Sequence, residues 1–142
     1  MSAVRDIRNQ LKPEVALDPQ VIASNTTTVG EIIDTADLDG GLMVSISATV
    51  TDGDYTMLLE QSAQANFGGG ITVIADENLI GDVDLGQEAD AILSASGIKN
   101  LGIVNQPERF VRLSVVSANF SSAGAVVAAM YHGKKEVSKI SN

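Results

Sequence analysis

The stretch Leu42–Thr51, LMVSISATVT, decides the fold class of this chain. Apolar residues occupy every second position, and most of the positions between them hold Ser or Thr. Side chains of a β-strand alternate between its two faces, so the pattern predicts a strand with one buried face and one hydroxyl-rich face. The residues of the buried face are Leu42, Val44, Ile46, Ala48 and Val50.

A turn signal, Asp52-Gly53, follows this strand directly, and Tyr55–Glu60 is typical of the next strand. Asp-Gly between two strand patterns is a strong hairpin signal, so we expect these two strands to pair. A second alternating stretch, Arg109–Ser117, predicts another half-buried strand. Its inward residues are Val111, Leu113 and Val115.

Three further segments have strand-like composition: Val21–Val29, Ile71–Ala75 and Ala123–His132. Clusters of turn residues separate the strands at Asp34–Gly41 and Gly68–Gly70. Residues 84–96 fit either a short helix that begins at Asp84 or an irregular excursion between strands. About six to eight short strands with frequent turns predict an all-β, single-domain β-sandwich of the jelly-roll type.

The length of 142 residues fits one domain with flanking segments. We expect an N-terminal arm over residues 1–19, a sandwich over 20–133 and a basic tail over 134–142. The arm contains Pro13 and Pro19, and its first part is either a short helix or extended chain. The start of the sequence has no apolar run like that of a signal peptide, and no segment is long enough to predict a membrane span.

Charge is distributed unevenly along the chain, whose formal net charge is −9. Residues 1–12 carry +2, residues 134–142 carry +2, and the residues between them therefore carry −13. An acidic body repels phosphate backbones and anionic lipid, so the sequence argues against nucleic-acid and membrane partners. The basic ends are either solubilising tails or arms that dock on an acidic partner.

Few side chains in this sequence suit catalysis or metal binding. The chain has no cysteine and one histidine, which excludes thiolate chemistry and multi-histidine zinc sites. We interpret His132 as an edge-of-sheet residue with a structural hydrogen bond. We interpret Asp37, Asp39, Asp52 and Asp54 as turn residues and not as ion ligands. The sequence thus predicts a non-enzymatic protein without cofactor or metal.

Four segments together resemble small virion proteins of tailed bacteriophages, the head decoration or cement proteins. The segments lie at 46–62, 71–81, 101–116 and 124–135, and consist of strand and turn motifs such as ISATVTDGDYTMLLEQS. The resemblance implies a structural protein of the virion, made in the host cytoplasm, that binds the outer surface of the major capsid protein shell. Partners would be the major capsid protein and further copies of this chain, as a dimer or a trimer.

Alternative functions stay open at this stage. These are a tail or head–tail connector protein, or a small sandwich that binds a glycan or an ion. For the decoration role, the expected contacts with the capsid or a neighbouring copy are Arg5, Arg8, Lys12, Arg112, Lys134 and Lys135. Arg112 is also the better of two strand arginines for a buried or interfacial ion pair with a carboxylate.

Overall fold

The computed structural model describes residues 10–74, 78–80, 92–103 and 108–135. These residues form strands joined by turns and loops. The strands are β1 (Leu11–Ile22), β2 (Thr27–Asp34), β3 (Leu38–Val50), β4 (Asp54–Ser62), β5 (Thr72–Val73), β6 (Leu79–Ile80), β7 (Ile92–Leu93), β8 (Gly97–Ile103), β9 (Phe110–Ala118) and β10 (Ala125–Lys135).

Two antiparallel sheets pack face to face and form a β-sandwich, as the sequence predicted. Sheet A has the strand order β1-β10-β3-β8-β6, and sheet B has the order β2-β9-β4-β5, with β7 also beside β4. The strands of the second half of the chain pair with those of the first half in reverse order: β8 pairs with β3, β9 with β2 and β10 with β1. This long ribbon wraps on itself when β10 also pairs with β3 and β9 with β4, which gives jelly-roll topology.

The core lies between the sheets and is built from the alternating residues of the long strands. Val44 and Ile46 of β3 and Leu113 of β9 are fully buried, as the alternation predicted. Ser47 and Thr49 point to the other face and are exposed. Burying one apolar face of each strand is the main source of stability in such a sandwich.

The predicted hairpin at Asp52-Gly53 is wrong. Strand β3 belongs to sheet A and β4 to sheet B, so the turn joins the two sheets instead of two neighbours in one sheet. Gly53 has a φ of +92°, which explains why a glycine stands at this corner. An Asp-Gly pair supplies the backbone freedom for a sharp turn, but that freedom suits a corner as well as a hairpin.

The expected boundaries at the two ends of the sandwich also change. Residues 11–19, which we expected within an arm, belong to β1, and this strand pairs with β10 along its length. Ala16 and Leu17 of β1 are buried in the core. Lys134 and Lys135, expected in a tail, are the last two residues of β10. Residues 1–9 and 136–142 lie outside the described residues.

Three other expectations need correction. The expected strand Val21–Val29 is interrupted, because residues 23–26 connect β1 in sheet A to β2 in sheet B. The expected turn Asp34–Gly41 is shorter, since β3 already begins at Leu38. His132 is not at a sheet edge, because β10 lies between β1 and β3.

The segments 71–75 and 84–96 contain less regular secondary structure than expected. In place of a strand over 71–75, β5 comprises only Thr72–Val73. The alternative helix over 84–96 does not extend to its expected end, because Ile92–Leu93 form β7 beside β4. Residues 84–91 of that segment lie outside the described residues.

A bulge in β2 brings the two sheets into direct hydrogen-bonded contact. The pairing of β2 with β9 shifts between Val29 and Ile32. Across the core, the Tyr131 hydroxyl of sheet A accepts a hydrogen bond from the amide of Leu113 at 2.7 Å. The same hydroxyl donates to the carbonyl of Glu31 at 2.6 Å. Tyr131 of sheet A therefore links to sheet B at the point where the hydrogen-bond ladder between β2 and β9 is interrupted.

Gly30, in the same bulge, allows β1 and β2 to approach closely. A Cβ on Gly30 would lie 2.2 Å from the carbonyl oxygen of Ala16 and 2.7 Å from that of Leu113. Both neighbours are backbone atoms held in sheets and cannot move away as a flexible side chain would. A residue larger than glycine is thus excluded here by space.

Candidate functional site

Two of the six expected basic contact residues, Lys12 and Lys134, lie at one end of sheet A. In the β1–β10 pairing, Leu11 lies opposite Lys134 and Lys12 lies opposite Gly133. Lys12 and Lys134, more than 120 positions apart in the sequence, thus lie on adjacent strands at the same end of sheet A. Lys12 also forms an ion pair with Glu14, with 3.6 Å between Nζ and Oε1. Because successive residues of a strand alternate between its faces, the Lys12 and Lys134 side chains point to opposite faces of this strand pair. We call this end of the β1–β10 ladder, defined by Lys12 and Lys134, the paired-end surface.

The remaining members of the expected contact set lie elsewhere. Arg5 and Arg8 fall outside the described residues. Arg112 is on β9 in sheet B and forms an ion pair with Glu60, with 3.0 Å between Nε and Oε1. The ring centroid of Phe67 lies 4.5 Å from the guanidinium carbon of Arg112. The ion pair suggested for Arg112 is present, and it engages this side chain within its own chain.

Glu60 is held as a carboxylate on the outer side of sheet B. Its Oε1 accepts hydrogen bonds from Arg112 and from the hydroxyl of Ser114, which lies at 2.5 Å. Burial alone would raise the pKa of Glu60, but these hydrogen bonds and the positive charge of Arg112 outweigh it and lower the pKa. With Phe67 from the following loop packed over Arg112, this part of sheet B is covered by its own chain.

Arg109, which directly precedes β9, holds the end of β2. Its guanidinium donates two hydrogen bonds to the carboxylate of Asp34, each at 2.9 Å. The hydrogen bond from Arg109 is the main cause that lowers the pKa of Asp34. Both side chains are largely exposed, so water and salt screen the attraction between them. We therefore infer that this ion pair positions the end of β2.

Asp52 holds the turn between β9 and β10. Its carboxylate accepts hydrogen bonds from the four consecutive backbone amides of residues 121–124, at 2.8 to 3.1 Å. These hydrogen bonds, of which the one from the Ser121 amide has the largest effect, hold the pKa of Asp52 far below its usual range. Asp54 accepts a hydrogen bond from the side-chain amide of Asn119 at 2.6 Å. Both carboxylates therefore have structural partners at this corner.

The described ranges contain no group of three or more His, Asp or Glu side chains placed to hold a metal ion. Among the same residues, no helix has the length and apolar character needed to cross a lipid bilayer.

The outer face of sheet A is the feature that the sequence reasoning missed. This face is formed by the outward-pointing residues of β1, β10, β3 and β8, and its interior contains no Asp, Glu, Lys or Arg in the described pairing. Six of its apolar side chains are 39% to 64% exposed: Val15, Val21, Met43, Ile98, Val126 and Met130. The signal in the sequence was Val126, Ala128 and Met130, which occupy outward positions of β10, whereas the solvent-facing side of a strand normally carries polar residues.

A groove of about 360 Å³ runs across this face. Its floor is made by small side chains of the two central strands, Ala128, Ser45 and Ser47. Larger apolar side chains of the flanking strands form its walls, namely Val15, Pro19 and Ile98. Met130 and His132 of the central strand β10 also line the groove, so its concave shape is a local effect of the small residues Ala128, Ser45 and Ser47.

Comparisons with known proteins give one informative likeness. No protein-family model and no curated protein matches this sequence. Among solved structures, the crystal structure of the SPBc2 prophage-derived protein YomS is similar, with a TM-score of 0.50 and 15% sequence identity. The match covers 86% of this chain and 91% of that chain. At this level of identity the likeness supports the fold.

Proposed function

We propose that this chain is a non-enzymatic structural protein of a bacteriophage particle, and specifically a decoration protein on the outside of the major capsid protein shell. The four sequence segments that resemble head decoration proteins support this role, as does a fold shared with a prophage-derived protein. Because a shared fold does not establish function, a feature of this chain itself has to carry the proposal. That feature is the paired-end surface.

The β1–β10 register places one lysine of each basic segment, Lys12 and Lys134, on adjacent strands at one end of sheet A. Each segment carries +2, whereas the residues between them carry −13. The strand that carries Lys134, β10, is held on both sides by β1 and β3. A force on either end of the chain is therefore passed into the ladder of sheet A. This mechanical connection suits a protein that holds neighbouring capsid subunits together.

Electrostatics set the expected behaviour of such a contact. Exposed charges attract an acidic partner over a distance of roughly 10 Å at moderate salt, and the attraction weakens as salt rises. The acidic body of the sandwich is repelled by the same partner and directs the ends towards it. We therefore expect docking through the paired-end surface to be salt-sensitive.

The test uses purified particles of the phage or prophage whose genome encodes the chain, prepared without this protein. Wild-type protein is added back and bound copies are counted, together with a variant carrying Lys12→Glu and Lys134→Glu. Lys99→Glu, on β8 away from the paired ends, is the matched control. We expect the double variant to bind at least about tenfold more weakly at low salt, and the control to bind like wild type.

The outcomes separate the competing roles. Hundreds of bound copies per particle support decoration, whereas a handful indicates a tail or connector protein and overturns it. Equal losses for the double variant and the control would contradict docking through the paired-end surface. A failure of wild-type protein to bind any particle component would overturn the structural role itself.

A further inference from the structure

We infer that the outer face of sheet A is the interface of a symmetric dimer, in which a second copy of this chain covers the groove. This inference concerns a different surface from the paired ends and does not depend on the particle role.

The two outer faces of the sandwich differ in how far the chain's own side chains cover their central strands. Sheet B also exposes apolar side chains, such as Val29 on β2 and Val73 on β5, but the ion pair of Arg112 with Glu60 and the ring of Phe67 lie on the strands between them. On sheet A, Ile98 and Val126 remain 64% and 50% exposed, and no described segment packs over them. Contiguous apolar surface of this kind is uncommon on a soluble monomer and marks a contact with another protein.

The lack of charge on this face is compatible with a second copy of the same chain as the partner. Each copy carries a net charge of −9, so two copies repel each other over most of their surfaces. The interior of the sheet A face carries no charged side chain, and apolar contact there is not opposed by buried like charges. A strongly acidic chain that self-associates needs such a face.

The size of the face is sufficient for a dimer. Four strands spaced by about 4.8 Å and about eight residues of roughly 3.3 Å each give a face of roughly 500 Å². Two copies would therefore bury about 1,000 Å² in total, the size at which specific interfaces begin. A single face that meets itself makes a closed two-fold dimer and does not extend into a trimer or a filament.

The shape of the face is compatible with its own copy. The groove floor of Ala128, Ser45 and Ser47 lies beside a projecting residue, Ile98. In a two-fold arrangement, a ridge on one copy faces the groove on the other, and the reverse contact is made at the same time. Sheets packed in this way lie about 10 Å apart, with the side chains of both faces interdigitated.

The test measures the oligomeric state of the full chain by sedimentation equilibrium over a range of concentrations. Met130→Glu and Ile98→Glu each place a carboxylate on the face at a side chain that is 42% or 64% exposed, so we expect both variants to fold. Val29→Glu on β2 of sheet B, where Val29 is 52% exposed, is the matched control. Thermal unfolding of each variant verifies that it remains folded.

We expect wild type and Val29→Glu to be dimers, and the two face variants to dissociate with Kd values raised at least about a hundredfold, because an unpaired charge would be buried. A wild-type chain that stays monomeric at hundreds of micromolar overturns the inference and leaves the face to a different protein. A dimer that tolerates both face variants also overturns it, because its interface must then lie elsewhere. Neither result depends on whether particles bind the protein.

Discussion

Replacing Tyr131 with Phe tests how the two sheets are joined, because it removes one oxygen atom and preserves the ring. Tyr131 is fully buried, and its hydroxyl is both acceptor from the Leu113 amide and donor to the Glu31 carbonyl. Burial is the main cause that raises the pKa of Tyr131 far above its usual range, so the hydroxyl keeps its proton and can donate. The substitution leaves both backbone groups without this partner.

The magnitude follows from the burial of the two abandoned groups. The amide of Leu113 is in the buried interior, and an unsatisfied buried donor costs about 1–3 kcal/mol. The Glu31 carbonyl belongs to a partly buried hydrogen bond at the bulge, where water can replace the hydroxyl at lower cost. We expect Tyr131→Phe to lower the free energy of unfolding by about 2 kcal/mol, a large share of the stability of a domain of this size.

Urea unfolding of wild type and variant measures the difference, provided that the dependence on denaturant has the same slope in both. Tyr55→Phe is the matched control, since Tyr55 is also fully buried and its hydroxyl makes a single hydrogen bond, to the carbonyl of Asp52 at 2.9 Å. We expect this control to lose less than about 1 kcal/mol. If Tyr131→Phe proves no more costly than Tyr55→Phe, the hydroxyl does not complete the interrupted ladder and our reasoning is refuted.

Three further substitutions probe the other structural devices. Gly30→Ala should lower the free energy of unfolding by roughly 3 kcal/mol, because the added Cβ meets backbone oxygens. Gly41→Ala is the control, since the nearest neighbour of its Cβ would be a lysine side chain, and it should cost far less in the same urea assay. Glu60→Gln should cost about 1 kcal/mol at neutral pH. Because the pKa of Glu60 is lowered in the folded protein, its stabilising effect is present above the unfolded pKa of about 4.3 and is lost as the pH falls through the folded pKa. The unfolding free energies of wild type and variant should therefore converge on acid titration. A difference that stays constant with pH would contradict the role of the Glu60 carboxylate. Asp52→Asn should accelerate hydrogen exchange of the amides of residues 121–124 relative to the amides of β10, and unchanged exchange would show that the carboxylate does not hold the turn.

The faces of the central strands were predictable from the sequence. The alternation in Leu42–Val50 and in Arg109–Ser117 assigned Val44, Ile46 and Leu113 to the core, and the structure buries all three. A period of two is a local property, because each side chain in an extended chain points opposite to the previous one whatever the strand pairs with. The composition of branched apolar residues and turns likewise determined the all-β class.

What the sequence could not determine was which strands pair and what each face meets. Asp52-Gly53 permits a sharp turn, but only the wrapping of the ribbon decided that this turn joins two sheets. The same wrapping placed residues 11–19 beside β10, brought Lys12 and Lys134 onto adjacent strands and left Val126 and Met130 outside. These features depend on contacts between residues far apart in the chain. Local periodicity reports that a face is apolar, and only the tertiary structure decides whether that face is covered by the chain itself or left for another molecule.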